Sequence, residues 1–537
     1  MITYMFKQIL YIIYFYKGSV TVAAVHENYI KEFLELHKGE AFIAEKLVTE
    51  LKQMFPDLQD SNCRRIISNA HKHGRIASSE PITFAHNQYA YFSSSEVFGY
   101  KVLAKCIMEY KKPLHRVIFA LQRGNGILSV LDARKISGTT LLRESHSLLF
   151  ENILDQLEIL KIAEVRKIGD TDFIIKCNKN VDTLQADGIR TDLQSNNTML
   201  SLVLQWAVRA NIIDDKQLCF MGEANSFNGV ERNNEIWDAF GFSNAVGLGG
   251  ITRDFQTLVL VDFHAKNIYE EYDFAGFKDR VDRVVYSTRG ERRKVLPIVF
   301  SNGASPLAIA SMKKYRYINF NIADILGRNA VEISRNFTEN RQLIEQKLAV
   351  NDFTVTDKVA DSLEQIKKSG CEANYGNLKG ALFEYLMYPV VQKIYGHNSV
   401  VIHSYKGSCD GKEFECDYLV KAADENVIFE LKGYAKGNKI LLGEFDKDTG
   451  KYTDNSVRWF LNHTFELCSK VLGKHPVNKF CYITTSDFSE DAAKELISRK
   501  KNKPNKLECC YNHDSLLELL KENNMKDEIK VINQFYS

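Results

Sequence analysis

Residues 427–434 read VIFELKGY. A run this apolar, preceded by the turn-forming stretch 423–426, predicts a buried strand. Side chains alternate across a strand, so Val427, Phe429 and Leu431 take one face and Ile428, Glu430 and Lys432 the other. A carboxylate and an ammonium therefore point the same way, close enough to act on one ligand.

Upstream, VVIHSY (400–405) and EFECDYLVKA (413–422) read as two further strands, separated by the glycine-bearing stretch 407–411, and the three follow one another as antiparallel neighbours. Period two puts Asp417 on a face with Glu415 and Leu419, and the hairpin can bring Asp417 beside Glu430. Before these strands comes KGALFEYLMYPVVQKIYG (379–396), an apolar helix that embeds Glu384 among Leu382, Phe383, Leu386 and Met387. An unpaired buried carboxylate costs several kcal/mol, so Glu384 calls for a cation or a donor nearby; the alternative is a place on the helix's polar edge, facing water. Carboxylate oxygens from Glu384, Asp417 and Glu430 with the Lys432 ammonium form an oxygen-rich site suited to Mg²⁺ or Mn²⁺. A lone Glu-x-Lys is commonly a surface ion pair. Here it stands in an ordered set: helix with Glu, strand with Asp, strand with Glu-x-Lys, then helix, strand, helix, strand.

GALFEYL, ECDYLV and VIFELKGY resemble the three motifs of the PD-(D/E)xK nuclease superfamily, which has the restriction-endonuclease-like fold. SVRWFLNHTFELCSKVLG (456–473) resembles the helix after the motif strand, VNKFCYITTS (477–486) the next strand, and SEDAAKELISRKK with KLECCYN the closing helix and strand. The likeness runs from Asn374 to about Asn524; Cys416 stands where the family formula writes proline. The resemblance implies that Asp417, Glu430 and the Leu431 carbonyl bind the metal, with Glu384 a further or water-mediated ligand. It also implies that Lys432 orients and helps deprotonate the attacking water. Lys436, Lys439 and Lys406 are candidates to hold the substrate backbone, or else belong to a solvated basic loop.

A weaker likeness lies upstream. TLVLVDFHAK (257–266) followed by VLPIVFSNGASPLAIASMKKYRYINFNIADIL (295–326) repeats the order of VIFELKGYAK and the segments after it, laying Asp262 on Glu430 and His264 on Lys432. Residues 195–330 are expected to form a middle α/β domain, either an altered copy of the nuclease-like fold, with Asp254 and Glu235 as acidic remnants, or a sheet of unrelated topology. A histidine in place of the lysine points to gripping DNA or to dimerisation rather than to independent cleavage.

Residues 25–112 follow the order helix, turn, helix, two extended segments, which suggests a winged-helix-like module. A first helix is expected over 40–55, and a second, SNCRRIISNAHKHG, over 61–74. Cys63, Ile66, Ile67 and Ala70 fall at helical spacing toward a core, leaving Arg64, Arg65, Asn69 and Lys72, with His71 and Arg75 nearby, on a face suited to phosphates and base edges. A solvated basic helix in a protein-binding domain is the alternative. A second unit of similar order, 113–190, ends in a helix exposing Glu151, Asp155 and Glu158 and a hairpin turning at Gly169-Asp170; those carboxylates would repel phosphates, so an interaction or dimerisation module fits better.

The remaining features set bounds. A chain of 537 residues exceeds one core, and a formal charge of +2 leaves nucleic-acid binding to local patches. The 11 cysteines show no metal-finger spacing and suit a reducing cytoplasm. Residues 1–24 read as a leader, either a buried N-terminal element or translated upstream sequence; the apolar run 9–16 is too short for a membrane span of roughly 20 residues. QRGNGILS and GLGG lack the spacing of an ATP-binding loop, which leaves any motor to a separate subunit. The chain thus reads as a multi-domain α/β protein with a helical connector at 331–373 and a restriction-endonuclease-like domain at 374–537. The expected function is a Mg²⁺-dependent endonuclease acting on double-stranded DNA in restriction, phage defence or repair, with room for a homodimer and a motor or regulatory partner. The rivals are a non-catalytic DNA-binding or regulatory protein on that scaffold, and an RNA-cleaving effector.

Overall fold

The computed structural model describes residues 22–140, 149–169, 171–221, 229–243, 256–288, 293–349, 354–396, 399–446, 451–453 and 455–537. Asp254, Asp170 and most of the leader lie outside them. The chain divides into two units, residues 1–190 with 211–319, and 191–210 with 320–537.

The first unit opens with helix Val22–Leu36, strand Phe42–Ile43, helices Ala44–Met54 and Asp60–Lys72, and strands Ile76–Ser78 and Ala90–Ser93. The strands form an antiparallel sheet in the order first, third, second. The helix expected from residue 40 starts only at Ala44, because Phe42 and Ile43 pair with Tyr91 and Ala90 and Ile43 is buried. The same order then recurs: helix Lys112–Arg123, strand Ile127–Ser129, helices Val130–Ser137 and Phe150–Ile159, strands Ala163–Ile168 and Thr171–Lys176, again antiparallel as first, third, second. In both modules one helix buries its apolar stripe on the sheet: Cys63, Ile66, Ile67 and Ala70 in one, Phe150, Ile153 and Leu157 in the other.

The unit closes with a five-stranded sheet whose strands stand side by side in chain order: Cys219–Phe220, Ala239–Ser243, Thr257–His264, Val295–Ser301 and Ile318–Asn321. The second is antiparallel to both the first and the third, and the third and fourth are parallel across helix Glu271–Ser287. Thr257–His264 is buried up to its last residue, as expected of a strand covered on both faces.

The second unit holds a sheet of the same order: Val400–Cys409, Lys412–Lys421, Glu425–Lys432, Val477–Thr484 and Cys510–Tyr511. Its first two pairings are antiparallel and its last two parallel. The first hairpin is tighter than the glycine pattern suggested. Both strands run on to Cys409 and Lys412, and Asp410 and Gly411 turn with φ of 54° and 73°, the two-residue turn that matches strand twist.

Helices Ala330–Ala349 and Thr356–Lys368, expected as a connector over 331–373, instead belong to this unit; the second packs on helix Gly376–Tyr395 and on helix Lys526–Phe535, where Thr356 Oγ1 donates to Glu528 at 2.6 Å. Helix Thr183–Arg209, read from sequence as MLSLVLQWAVRA (199–210) within a middle domain starting at 195, joins the second unit from Thr191, with the Ser195 carbonyl accepting from Ser334 Oγ at 2.9 Å. Among the described residues no helix is long and apolar enough to cross a membrane.

Candidate active site

The ladder between Lys412–Lys421 and Glu425–Lys432 ends at the pair Tyr418 and Phe429. One step further, Asp417 and Glu430 face each other with no backbone pairing. The Lys432 carbonyl is turned toward the parallel neighbour, accepting from Thr485 N–H at 3.1 Å and Thr484 Oγ1 at 2.9 Å. Successive peptide groups point to opposite edges, so the amide and carbonyl of Leu431 face the edge from which the antiparallel strand has parted. Asp417 fills that edge: its Oδ2 accepts from Leu431 N–H at 2.5 Å.

The parting has a local cause. Ser404, across from Asp417 in the outer hairpin, has φ of 50°, and the register passes from His403 and Tyr418 to Tyr405 and Cys416 without pairing the two residues between. Cys416 and Leu419, at odd spacing, share one core cluster, so the pleat is interrupted at Asp417. The expected common face with Glu415 is lost: Glu415 is exposed and pairs with Lys406 at 3.0 Å.

Lys432 Nζ lies 2.6 Å from Glu430 Oε1 and 3.9 Å from Asp417 Oδ2. Glu384, half-buried on its helix, meets His403 Nε2 at 3.2 Å, and its carbonyl accepts from Tyr418 OH at 2.7 Å. Helix and strand end approach closely because residue 433 is glycine; a Cβ there would stand 2.5 Å from that of Phe383. Burial, and then repulsion from Glu430, push the Asp417 carboxyl well above its ordinary range, with Lys432 pulling the other way. Burial works against the Lys432 ammonium, but Glu430 and Asp417 outweigh it and hold it protonated well above the usual lysine range. The Tyr482 hydroxyl, in register beside Glu430, is buried and has no hydrogen-bond partner among the described residues.

Asp417 and Glu430 thus share one ammonium, while Glu384 meets an imidazole. The surplus negative charge and the hard oxygen donors fit a divalent cation held by Asp417, Glu430 and the Leu431 carbonyl, a partial set of the kind Mg²⁺ completes with water and phosphate. Among the described residues no three His, Cys, Asp or Glu side chains are drawn together as a ready-made metal cage.

The other predicted residues stand apart from this cluster. Lys436 and Lys439 are exposed in the stretch after Gly433, with Lys436 3.7 Å from Asp514. On helix Asp60–Lys72, Arg64, Arg65 and Lys72 are exposed, Asn69 is half-buried, and none of the three cations makes an ion pair among the described residues. Arg75 is instead drawn to Glu27, at 3.2 Å. In the middle sheet, Glu235 is not the acid opposite Asp262: it is buried against Arg283, at 2.5 and 3.1 Å. That position belongs to Asp238, whose neighbour Ala239 pairs with Val261. Sequence reasoning missed Asp238, His403, Tyr418 and Tyr482. Only the strand alternation around His403 and Tyr418 could have flagged any of them.

No family model and no curated protein matches the chain. Among solved structures, Can2 from Sulfobacillus thermosulfidooxidans in complex with cyclic tetra-adenylate aligns over 51% of this chain and 93% of its own, at 12% identity and a TM-score of 0.20.

Proposed function

We propose that residues 374–537 form a metal-dependent nuclease of the PD-(D/E)xK kind, cutting the phosphodiester backbone of DNA as an endonuclease in restriction, phage defence or repair. One observation carries the reading. Asp417 caps the Leu431 amide where two inner strands of the sheet part, opposite Glu430 and with Lys432 within 3.9 Å of both carboxylates.

In this reading Asp417, Glu430 and the Leu431 carbonyl hold Mg²⁺ or Mn²⁺, which when bound offsets charge building on the phosphate and acidifies water. Lys432, with Nζ 2.6 Å from Glu430 and 3.9 Å from Asp417, donates to the attacking water and steadies the hydroxide as the water loses its proton. Glu384, steered by His403, is the carboxylate free to receive that proton or to order a further water. The winged-helix-like order of residues 22–93 and the exposed Arg64, Arg65 and Lys72, without an ion pair among the described residues, favour duplex DNA as the substrate.

Purified chain incubated with Mg²⁺ and labelled duplex DNA, single-stranded DNA and RNA tests the proposal. Cleavage of duplex DNA that is lost in Asp417→Ala supports it. Cleavage of RNA alone would move the substrate to RNA, and no cleavage of any substrate by the folded wild type would leave a non-catalytic scaffold.

A further inference from the structure

Asp238 and Asp262 stand in the middle sheet as Asp417 and Glu430 stand in the C-terminal one. In each case the acid on the second strand lies one position beyond the last antiparallel pair, opposite the acid on the third strand. In each the first acid accepts the amide of the residue after the second: Asp238 Oδ2 from Phe263 N–H at 2.6 Å, Asp417 Oδ2 from Leu431 N–H at 2.5 Å. Both third strands then run parallel to the fourth, with His264 and Lys432 in the same register beside Ser301 and Thr484.

The difference lies in what sits among the oxygens. Lys135, from helix Val130–Ser137, places its Nζ 2.6 Å from Asp238 Oδ2, 3.7 Å from Asp262 Oδ1 and 3.3 Å from the Phe263 carbonyl. These are the counterparts of the three oxygens assigned to the cation above. Arg280 adds a second positive charge at 3.0 Å from Asp262 Oδ1, and Tyr269 OH donates to Oδ2 at 2.8 Å. Asp238 and Asp262, the two carboxylates at the cation position, face two positive charges, and Asp132, 3.9 Å from Lys135 Nζ, is more than half exposed to solvent, so no buried negative charge is left to attract a metal. In the C-terminal site the carboxylates outnumber the ammonium. Lys135 is also fixed from behind, because its helix packs on Gly276 so closely that a Cβ there would stand 2.6 Å from the Lys135 carbonyl.

We infer that the middle domain carries a second, silenced copy of the metal site in which the Lys135 ammonium permanently takes the cation's place, binding no divalent metal and clasping the second N-terminal module to the middle sheet. Arg116 on Asp279 at 2.7 Å and Arg123 on Asp273 at 2.6 and 2.7 Å reinforce the same clasp. This rests on the metal reading of the C-terminal site, and vacating Lys135 should recreate a Mn²⁺ site.

Mn²⁺ bound per folded full-length chain, counted by electron paramagnetic resonance, tests it. Wild type should hold one ion, Asp417→Ala none, and Asp417→Ala/Lys135→Ala one, which adding Asp238→Asn removes again. An Asp417→Ala chain that keeps an ion sensitive to Asp238→Asn would overturn the inference, and so would a folded double variant that takes up none. Should the Lys135 variant not fold, Asp417→Ala with and without Asp238→Asn decides alone: no ion in either supports the silenced site, and an ion lost on adding Asp238→Asn refutes it. Wild type binding no Mn²⁺ would instead count against the nuclease reading, with the Lys135 arm still reporting on the middle site.

Discussion

Asp417 lies opposite Glu430 one position past the last backbone pair of their strands, where its carboxylate takes the place of a ladder acceptor for Leu431. Replacing it therefore removes a proposed metal ligand and leaves one amide unsatisfied, while relieving repulsion with Glu430. The expected result for Asp417→Ala is a folded protein whose cleavage falls by at least about 10³-fold. Circular dichroism checks the fold and a labelled-duplex assay the activity. Equal cleavage by wild type and variant would rule out this site.

Lys432 gives the opposite pairing of effects. Its ammonium competes with any cation for Glu430, at 2.6 Å, so Lys432→Met should bind Mn²⁺ more tightly than wild type. Turnover should nevertheless drop by about 10²–10⁴-fold, because the positioned donor to the nucleophile is gone. Weaker metal binding in this variant would show that Lys432 supports the ion rather than the water.

Calcium separates binding from chemistry. Its larger, looser shell accepts the same oxygens but places water and phosphate poorly for in-line attack. Ca²⁺ should thus support DNA binding at wild-type affinity with cleavage near background, as read by gel shift and cleavage on one sample. Ca²⁺-driven cleavage at the Mg²⁺ rate would contradict the mechanism.

The raised carboxyl of Asp417 makes stability fall as pH rises. In EDTA the unfolded chain releases this proton near 3.8, whereas burial and Glu430 make the folded chain hold it longer. Between those points the folded state binds more protons, so stability is lost as pH climbs, and the whole loss is in place above the folded value. Wild type should lose Tm relative to Asp417→Asn as pH rises from about 3.8, and Mg²⁺ should recover the difference. Parallel Tm profiles for the two proteins would refute this origin.

What the sequence disclosed followed from local periodicity. Alternation in 427–434 put Glu430 and Lys432 on one face, and helical spacing in 60–72 separated Cys63, Ile66, Ile67 and Ala70 from the basic residues; the structure has both. What it hid depends on pairing between distant segments. The break in the pleat at Asp417 comes from the backbone of Ser404, thirteen positions away in the hairpin partner, which no pattern within 413–422 can report. Asp238 was invisible for a similar reason, since its place opposite Asp262 follows from the register of Ala239 with Val261, and Glu235 three residues earlier is as acidic but bonds Arg283 instead. Lys135 lies still further from the sheet it completes, in a helix whose sequence gives no hint of a buried ion pair.

The basic face of helix Asp60–Lys72 offers the last test. Arg64, Arg65 and Lys72 project into solvent from a helix whose opposite side is locked into the core by Cys63, Ile66, Ile67 and Ala70, so removing the charges should not disturb the fold. Each phosphate contact made by such a cation contributes a slope of about 0.9 to the dependence of log affinity on log salt, through counterion release. The triple Arg64→Ala/Arg65→Ala/Lys72→Ala variant should therefore bind duplex DNA more weakly at low salt, with a salt slope shallower by about 2 to 3. It should keep its Mn²⁺ content, since the metal residues lie in the other unit. Fluorescence anisotropy on one duplex across a salt series measures both quantities. Unchanged affinity and slope would assign this face to a protein partner, whereas weaker binding with an unchanged slope would mean that the variant lost structure rather than phosphate contacts.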